Sequence, residues 1–319
     1  MSTMTFMDVQ KAFWRLYGEE DYVRALEVVK GAQSQFPDDW LLYDWRLCME
    51  ARLNDTDGAL RTLREVLDRG YWIDPVVLRD DEDLQSLRGL AEYEQLLSEC
   101  QGRLDEARKT IKPAMVVLQP ERKTEQPAPL VIALHGNTGN ARTHSQEWQP
   151  LVARGWMVAA PHSTQLVAPG AAAWNDYAQG TQEVQAHYAA LIEQYAIDPE
   201  RVIVGGFSAG GGLAVQLAVS GAIKARGFVV VGPYLSDFEM LTPFLETARA
   251  NGVRGYIVMG LQERPQGQEL MRKIADLLNT HGIQCRVEER PDLGHVIPAD
   301  FDVSLTKALE FIFADEKWQ

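Results

Sequence analysis

Two different hydrophobic patterns divide the chain near residue 110. In residues 5–110 apolar residues recur three and four positions apart, which is typical of amphipathic helices, as in Val23, Leu26 and Val29. From Pro129 onward, short apolar runs alternate with helical patterns. Repeated strand-helix units predict a mostly parallel, doubly wound α/β sheet with helices on both faces. We therefore predict an all-α helical-hairpin domain, residues 1–110, followed by an α/β domain, residues 111–319.

The second half predicts a regular series of elements. Strands are expected at residues 114–118, 130–134, 156–160, 201–204, 227–231, 254–259 and 285–289. Helices are expected at 143–153, 179–195, 209–219, 241–251, 266–281 and 300–313. Prolines between Pro113 and Pro129 mark the boundary between the two domains. Because ligands of such sheets bind beyond the carboxyl ends of the strands, functional residues are expected in the loops at those ends.

The helical half contains a short internal repeat with a period of 34 residues. Ala25-Leu26 recurs as Ala59-Leu60, and this spacing resembles the period of the tetratricopeptide repeat. The second unit departs from that repeat at Val66 and Tyr71, so a generic pair of helical hairpins fits the same pattern. Either arrangement provides helices that bind a partner, pair two subunits or pack on the α/β domain.

A candidate nucleophile lies between the strand at 201–204 and the helix at 209–219. Gly206-x-Ser208-x-Gly210 is the nucleophile-elbow pattern, in which glycines permit a turn too tight for Cβ atoms and the serine Oγ is exposed. The helix that follows supplies free N–H groups. A glycine-rich turn with an incidental serine would give the same pattern. Whether the chain also supplies a base, an acid and oxyanion donors decides between these two interpretations.

A nucleophilic serine requires a base and two N–H donors for the developing oxyanion. The turn Leu134-His135-Gly136-Asn137 follows a buried strand, and the backbone N–H groups of Asn137 and Ala209 are the candidate donors. His295 lies in the loop after the last strand and follows Ser208 in the order that this fold uses, so it is the candidate base. His135 precedes the serine and is expected to be structural.

The acid of the triad has two candidates. Glu263 follows the strand at 254–259 and is preferred, whereas Asp237 follows the preceding strand. Asp292 is close to His295 in the sequence but is expected on the wrong part of the fold. A carboxylate near a helix N-terminus is common, which is the structural alternative for Glu263.

Residues from about 114 to the end resemble the α/β-hydrolase superfamily, and within it the phospholipase/carboxylesterase and dienelactone-hydrolase branch. The motifs that carry this resemblance are Leu134-His135-Gly136, Gly206-Phe207-Ser208-Ala209-Gly210-Gly211, Gly260 with Glu263, and Gly294-His295. Trp174-Asn175-Asp176 is similar to a tryptophan-containing loop beside the active site of carboxylesterases. The resemblance implies that Trp174 and Phe207 contact the substrate. Two features depart from the family: aspartate is its usual acid where Glu263 stands, and its minimal form lacks the helical half.

Composition narrows the class of partner. The net charge of −14 argues against nucleic acid or an anionic membrane surface. No apolar stretch approaches the roughly 20 residues needed to span a bilayer, and the start lacks the pattern of a signal peptide. Three widely spaced cysteines suggest reduced thiols and no zinc site. We expect a cytoplasmic protein with neither a metal nor an organic cofactor.

These observations predict a serine hydrolase that cleaves small, short-acyl carboxylic esters through an acyl-serine intermediate. Only about twenty residues separate the strands between which this fold usually inserts a lid, so the site is expected to be open to small-molecule esters. One alternative is a partner-binding helical scaffold with a vestigial hydrolase. Another is a peptidase or thioesterase that uses the same triad. The helical domain is expected to pack on the hydrolase or to form a contact with another subunit or protein.

Overall fold

The computed structural model describes residues 5–120 and 126–315, and these form two compact units. The first unit ends at Ile111 and also contains Leu166–Ala171, while the second begins at Lys112 and resumes at Ala172. The break after Ile111 lies one residue beyond the predicted boundary. Between Pro113 and Pro129 the chain forms a strand at Ala114–Leu118, and residues 121–125 of the predicted linker lie outside the described residues.

The first unit is helical, as the apolar spacing predicts. Its elements are α1 (Phe6–Gly18), α2 (Tyr22–Gln33), α3 (Trp40–Arg52), α4 (Thr56–Asp68), α5 (Pro75–Asp80), a 3₁₀-helix (Glu82–Leu87) and α6 (Ala91–Thr110). The side chains of Asp21, Asp39 and Asp55 accept hydrogen bonds from first-turn backbone N–H groups of α2, α3 and α4. Part of the acidic charge in this half therefore stabilises helix N-termini.

The two alanines of the 34-residue repeat have the same environment, because Ala25 and Ala59 are both fully buried in the core of the helical unit. The likeness to tetratricopeptide repeats itself stays a prediction. Leu166, predicted to belong to the α/β domain, lies in this same core, and the Asp74 N–H donates to the carbonyl oxygen of Val167 over 2.8 Å. These contacts explain why Leu166–Ala171 groups with the helices.

The rest of the chain contains all seven predicted strands. In order, the elements are β1 (Ala114–Leu118), β2 (Ala128–Leu134), α7 (Ala141–Glu147), α8 (Gln149–Val152), β3 (Met157–His162), β4 (Leu166–Ala168), β5 (Ala171–Ala172), α9 (Tyr177–Gln194), β6 (Ile197–Phe207), α10 (Ser208–Ser220), β7 (Gly227–Val231), a 3₁₀-helix (Phe238–Phe244), α11 (Leu245–Ala250), β8 (Arg254–Gly260), α12 (Pro265–Thr280), β9 (Cys285–Arg290) and α13 (Phe301–Ile312).

Two predicted helices are divided, and a proline lies in each. The helix expected at 143–153 separates into α7 and α8, with Pro150 in the first turn of α8. The helix expected at 241–251 begins as a 3₁₀-helix that contains Pro243 and continues as α11. Proline lacks the N–H that a continuous α-helix needs, so each chain segment changes its geometry there.

The main sheet has seven strands in the order β1-β3-β2-β6-β7-β8-β9. Only β1 pairs antiparallel, and the other pairings are parallel, which confirms the predicted mostly parallel sheet. The chain leaves β2 toward one edge of the sheet and leaves β6 toward the other. The crevice between the carboxyl ends of β2 and β6 is therefore the switch point at which such sheets bind ligands.

Helices cover both faces of this sheet. Along β2, Leu130, Ile132 and Leu134 belong to one buried core, while Val131 and Ala133 belong to the other, as strand alternation requires. Both faces of the central strands are thus buried. The strands are held firmly between the two cores, and the loops at their carboxyl ends start from these fixed positions. None of the helices in the described parts of the chain is long and apolar enough to cross a membrane.

Candidate active site

Ser208 lies at the junction of β6 and α10, where the chain turns without an intervening loop. Its φ of 53° is in the left-handed region, which residues other than glycine rarely adopt. A Cβ at Gly206 would lie 2.7 Å from the Gly210 carbonyl oxygen, and one at Gly210 would lie 2.2 Å from the His135 carbonyl oxygen. The glycines of the predicted elbow are therefore required by the close approach of the backbone.

His295 lies between Ser208 and Glu263 and contacts both. Its Nε2 is 2.9 Å from Ser208 Oγ, and its Nδ1 is 2.5 Å from Glu263 Oε1. The Glu263 side chain is 10% exposed and the His295 side chain is 43% exposed. When Nδ1–H donates to the carboxylate, the Nε2 lone pair is left to accept the serine O–H. The structure brings these three predicted residues together in the order that proton transfer requires.

Glu263 occupies the turn between β8 and α12, where the space around its carboxylate is tight. A Cβ at Gly232 would lie 3.1 Å from His295 Nδ1 and 3.3 Å from Glu263 Oε2, so the missing side chain makes room for the pair. The Gln268 amide donates to the Glu263 carbonyl oxygen over 2.9 Å and holds the backbone. Glu263 Oε2 is buried and has no hydrogen-bond partner within the described residues.

The structure gives the other two carboxylates different partners. Asp237, the alternative acid, caps the 3₁₀-helix at Phe238–Phe244 by accepting from the Glu239 N–H over 2.9 Å. Asp292 is 78% exposed and lies 3.8 Å from Arg290. No contact joins either of them to His295 within the described parts of the chain. The loop geometry therefore favours Glu263 over Asp237.

His135 is buried, and both of its ring nitrogens are occupied. Its Nε2 accepts from the Ser163 N–H over 3.3 Å, so the ring proton is on Nδ1 and is donated to the Gly136 carbonyl oxygen over 2.8 Å. Burial lowers the pKa of His135 to about 4, which keeps the ring neutral. These bonds give His135 the structural place in its loop that the sequence predicts.

The two candidate oxyanion donors lie at the ends of neighbouring strands. Leu134 pairs with Gly206 in the β2–β6 register, so the loop that carries Asn137 and the turn that carries Ala209 start level with each other. The Ala209 N–H belongs to the first turn of α10, where helix geometry provides no acceptor. This arrangement suits an anion held between the two loops.

A cleft of about 370 Å³ opens beside Ala209. It is lined by Trp174, Asn175, Tyr177, Ala209, Tyr234, Ser236 and Met240. The predicted substrate-binding residue Trp174 belongs to this lining and packs on the His135 ring, with 5.2 Å between ring centroids. Phe207, the other predicted substrate-binding residue, is not among these lining residues. Its ring packs beside that of His295, with 4.8 Å between the ring centroids.

Sequence motifs single out part of this lining, namely Trp174, Asn175 and Ala209. Tyr177 lies at the start of α9, and Tyr234, Ser236 and Met240 follow β7, where no periodicity or motif singles them out. One interaction ties this lining to the nucleophile: the Tyr234 N–H donates to the Ser208 carbonyl oxygen over 2.9 Å. A short segment after β7 could have been suspected, because it lies at the carboxyl end of a strand next to β6.

One group of potential metal ligands lies in the helical unit, away from any predicted chemistry. Cys48 Sγ and single carboxylate oxygens of Asp81 and Asp83 lie within 4.8 Å of one another. Asp83 is already bound by the Tyr17 hydroxyl and the Arg52 guanidinium. Burial, together with nearby carboxylates, raises the pKa of the Cys48 thiol well above its usual range.

Two family models match separate parts of the chain. Residues 7–108 match the family described as the A/B hydrolase-like N-terminal domain, and residues 181–279 match the acetyl xylan esterase (AXE1) family. No curated protein matches the chain significantly. An uncharacterized protein from Bacillus cereus ATCC 10987 is 24% identical, with a TM-score of 0.57 over 98% of this chain and 100% of that one.

Two esterase structures match the second half. Esterase PE8 is 19% identical over 63% of this chain and 100% of its own, and a ferulic acid esterase is 17% identical over 63% and 92%; each has a TM-score of 0.50. The chain therefore has an α/β-hydrolase-like fold preceded by an N-terminal helical domain, as predicted. The acetyl xylan esterase match supports hydrolase activity of the carboxylesterase type. The narrower branch stays a prediction.

Proposed function

We propose that this chain is a serine hydrolase that cleaves carboxylic esters of small, short-acyl substrates. The observation that carries this proposal is the continuous path from Glu263 through His295 to Ser208, with contacts of 2.5 Å and 2.9 Å. The match to the acetyl xylan esterase family supports an ester as the substrate. Two of the structural neighbours, esterase PE8 and a ferulic acid esterase, agree with that choice.

In the acylation step, Ser208 Oγ forms a bond to the ester carbonyl carbon as its proton moves to His295 Nε2. The carbonyl oxygen becomes an oxyanion, which the backbone N–H groups of Asn137 and Ala209 stabilise. The Glu263 carboxylate stabilises the imidazolium that forms. The bond from carbon to the alkoxy oxygen then breaks, and the His295 proton moves to the departing alcohol.

Water completes the cycle by the same route. His295 accepts a proton from a water molecule as the water oxygen attacks the acyl carbon, and the second oxyanion occupies the same two N–H groups. His295 then returns its proton to Ser208 Oγ as the acyl-oxygen bond breaks, which releases the carboxylic acid. Each proton leaves His295 before the next arrives, so the triad is restored.

The size of the cleft supports a small substrate. About 370 Å³ lies near the lower end of the range of about 300–1,000 Å³ that ligand sites occupy. Between β7 and β8 the chain forms only the 3₁₀-helix and α11, a short segment rather than a large inserted cap. Short acyl groups should therefore be hydrolysed faster than long ones, which a series of nitrophenyl esters from acetate to octanoate measures.

Replacing the nucleophile tests the proposal directly. Ser208→Ala should lower kcat for nitrophenyl acetate by at least about a thousandfold and abolish labelling by a fluorophosphonate probe. Ser220→Ala is the matched control, because Ser220 ends the same helix α10 and lies about 18 Å away along its axis. Wild-type turnover in Ser208→Ala would refute the assignment. Absence of labelling in the wild type would favour a scaffold, and faster cleavage of a matched thioester or amide would favour the thioesterase or peptidase.

A further inference from the structure

The side chain of Asn137 joins two loops of the site with a defined polarity. Its Oδ1 accepts from the Trp174 backbone N–H over 3.2 Å, and its Nδ2 donates to Asn175 Oδ1 over 2.9 Å. A backbone N–H can only donate, so Asn137 must present its oxygen to Trp174. Its NH₂ group therefore faces Asn175, which must in turn present an oxygen.

This chain of hydrogen bonds fixes the orientation of the Asn175 amide. Because its oxygen is directed at Asn137, its NH₂ group is directed away, and no described residue accepts a hydrogen bond from it. Asn175 is exposed and lines the cleft beside Ala209. At the lining of the cleft, Asn175 therefore carries an NH₂ donor that the described residues leave available.

The neighbouring hydroxyl does not provide the same function. Tyr177 also lines the cleft, but its hydroxyl donates to the Tyr234 carbonyl oxygen over 2.9 Å. Its proton is thus already engaged. The amide of Asn175 needs no such local acceptor, because water satisfies it until a ligand arrives.

We infer that Asn175 determines substrate specificity by donating a hydrogen bond to an oxygen of the ester other than the reacting carbonyl oxygen. The inference rests on the proposed esterase function and narrows its substrate class. The preferred substrates are oxygenated esters, which carry a hydroxyl or ether oxygen in the alcohol or acyl portion. Alkyl esters of the same size would leave the Asn175 donor without a partner after it loses water, which costs binding free energy.

Isosteric pairs of esters test this inference. On the alcohol side the pair is 2-ethoxyethyl acetate and pentyl acetate, and on the acyl side it is ethyl 3-methoxypropanoate and ethyl pentanoate. In each pair one methylene is replaced by an ether oxygen. The measured quantity is the ratio of kcat/KM for the ether to kcat/KM for the alkyl ester, within one variant. Effects on the chemical step are shared by both esters and cancel in this ratio.

Asn175→Asp is the decisive variant. The aspartate keeps an oxygen for the Asn137 amide, so the tether between the loops is retained, but the donor is lost. We expect the ratio to fall about threefold to tenfold in at least one pair, the range of a single neutral hydrogen bond. Asn137→Asp should lower the ratio too, because Asn175 would then turn its NH₂ group to the new carboxylate. Gln182→Glu, an amide-to-acid change at an exposed position of α9, controls for added charge and should leave the ratio unchanged.

The outcomes separate the two proposals. A ratio that is unchanged in both pairs for Asn175→Asp would overturn the inference and leave Asn175 as a tether for the loop. Equal falls in Asn175→Asp and Gln182→Glu would also overturn it, since charge alone would then explain the effect. Wild-type protein that hydrolyses none of the four esters would overturn the proposed function and this inference with it.

Discussion

Glu263 offers the sharpest test of the site, because the substitution Glu263→Gln removes a charge and almost no volume. The Glu263 side chain is nine-tenths buried, and its Oε1 lies 2.5 Å from His295 Nδ1. The glutamine oxygen can still accept the Nδ1–H, so the ring keeps its orientation. What is lost is the attraction between a carboxylate and the imidazolium that forms while Ser208 attacks.

The magnitude follows from Coulomb's law. At 2.5 Å and an effective dielectric constant of about 20 to 40, the attraction is about 3 to 7 kcal/mol. The higher dielectric constant allows for the 43% exposure of the His295 side chain. Since each 1.36 kcal/mol changes a rate tenfold, kcat should fall by about 10² to 10⁵. KM should change little, because Glu263 does not line the cleft.

Steady-state hydrolysis of nitrophenyl acetate measures this effect, with thermal unfolding as the check that each variant folds. Glu263→Asp withdraws the carboxylate by about 1.5 Å, one carbon-carbon bond, which takes it beyond hydrogen-bond distance of Nδ1. It should therefore lose rate as well. Asp237→Asn is the matched control: the amide oxygen can still cap the 3₁₀-helix, so kcat should stay within about twofold of the wild type.

Two results would refute this reasoning. If Glu263→Gln kept kcat within about threefold of the wild type, the carboxylate would not stabilise the imidazolium. If Asp237→Asn lost as much rate as Glu263→Gln, the acid would be Asp237 and the loop would have to rearrange during catalysis.

Two further predictions concern folding. Gly210→Ala should abolish soluble expression or esterase activity, because its Cβ would lie 2.2 Å from the His135 carbonyl oxygen; a variant with wild-type rate and melting temperature would contradict this. Burial lowers the pKa of His144 to about 3, whereas the unfolded histidine titrates near its ordinary value of about 6.5. The unfolded state therefore binds the proton first, so this stability is present above pH 6.5 and lost as the pH falls toward 3. Urea unfolding should show a loss of about 2 to 3 kcal/mol from this group between pH 7 and pH 4.5. His144→Gln, which keeps an acceptor for the Trp148 indole N–H, should flatten that slope; an unchanged slope would contradict the assignment.

The elements of the α/β half could be predicted because their signals are local. Each central strand is a short apolar run, and Gly206-x-Ser208-x-Gly210 specifies its own turn through steric contacts that only glycine avoids. Ser208, Glu263 and His295 could be assigned to one site because each follows a predicted strand, and the carboxyl ends of parallel strands lie at the same edge of the sheet. The breaks at Pro150 and Pro243 were equally local and could have been predicted from proline alone.

The cleft could be predicted only in part: Trp174 and Ala209 were expected at the site, but the segment after β7 was not, because the complete lining depends on contacts between distant segments. Asn137 and Asn175 are 38 residues apart, and the polarity of their hydrogen bond is set by a third group, the Trp174 N–H. Likewise, Leu166–Ala171 contributes to the helical core although it follows a strand of the sheet. Such pairings leave no trace in the spacing of apolar residues within a single sequence.

At Ser208, the backbone conformation that catalysis requires lowers the stability of the fold. A side chain held at a φ of 53° costs about 1 to 3 kcal/mol relative to a relaxed conformation, and glycine alone would avoid that cost. Selection for resistance to heat without selection for turnover would therefore favour glycine at position 208, a change that removes the nucleophile. A stabilised form of this protein has to draw its gains from elsewhere, such as the surfaces of the helical unit, and leave the elbow strained.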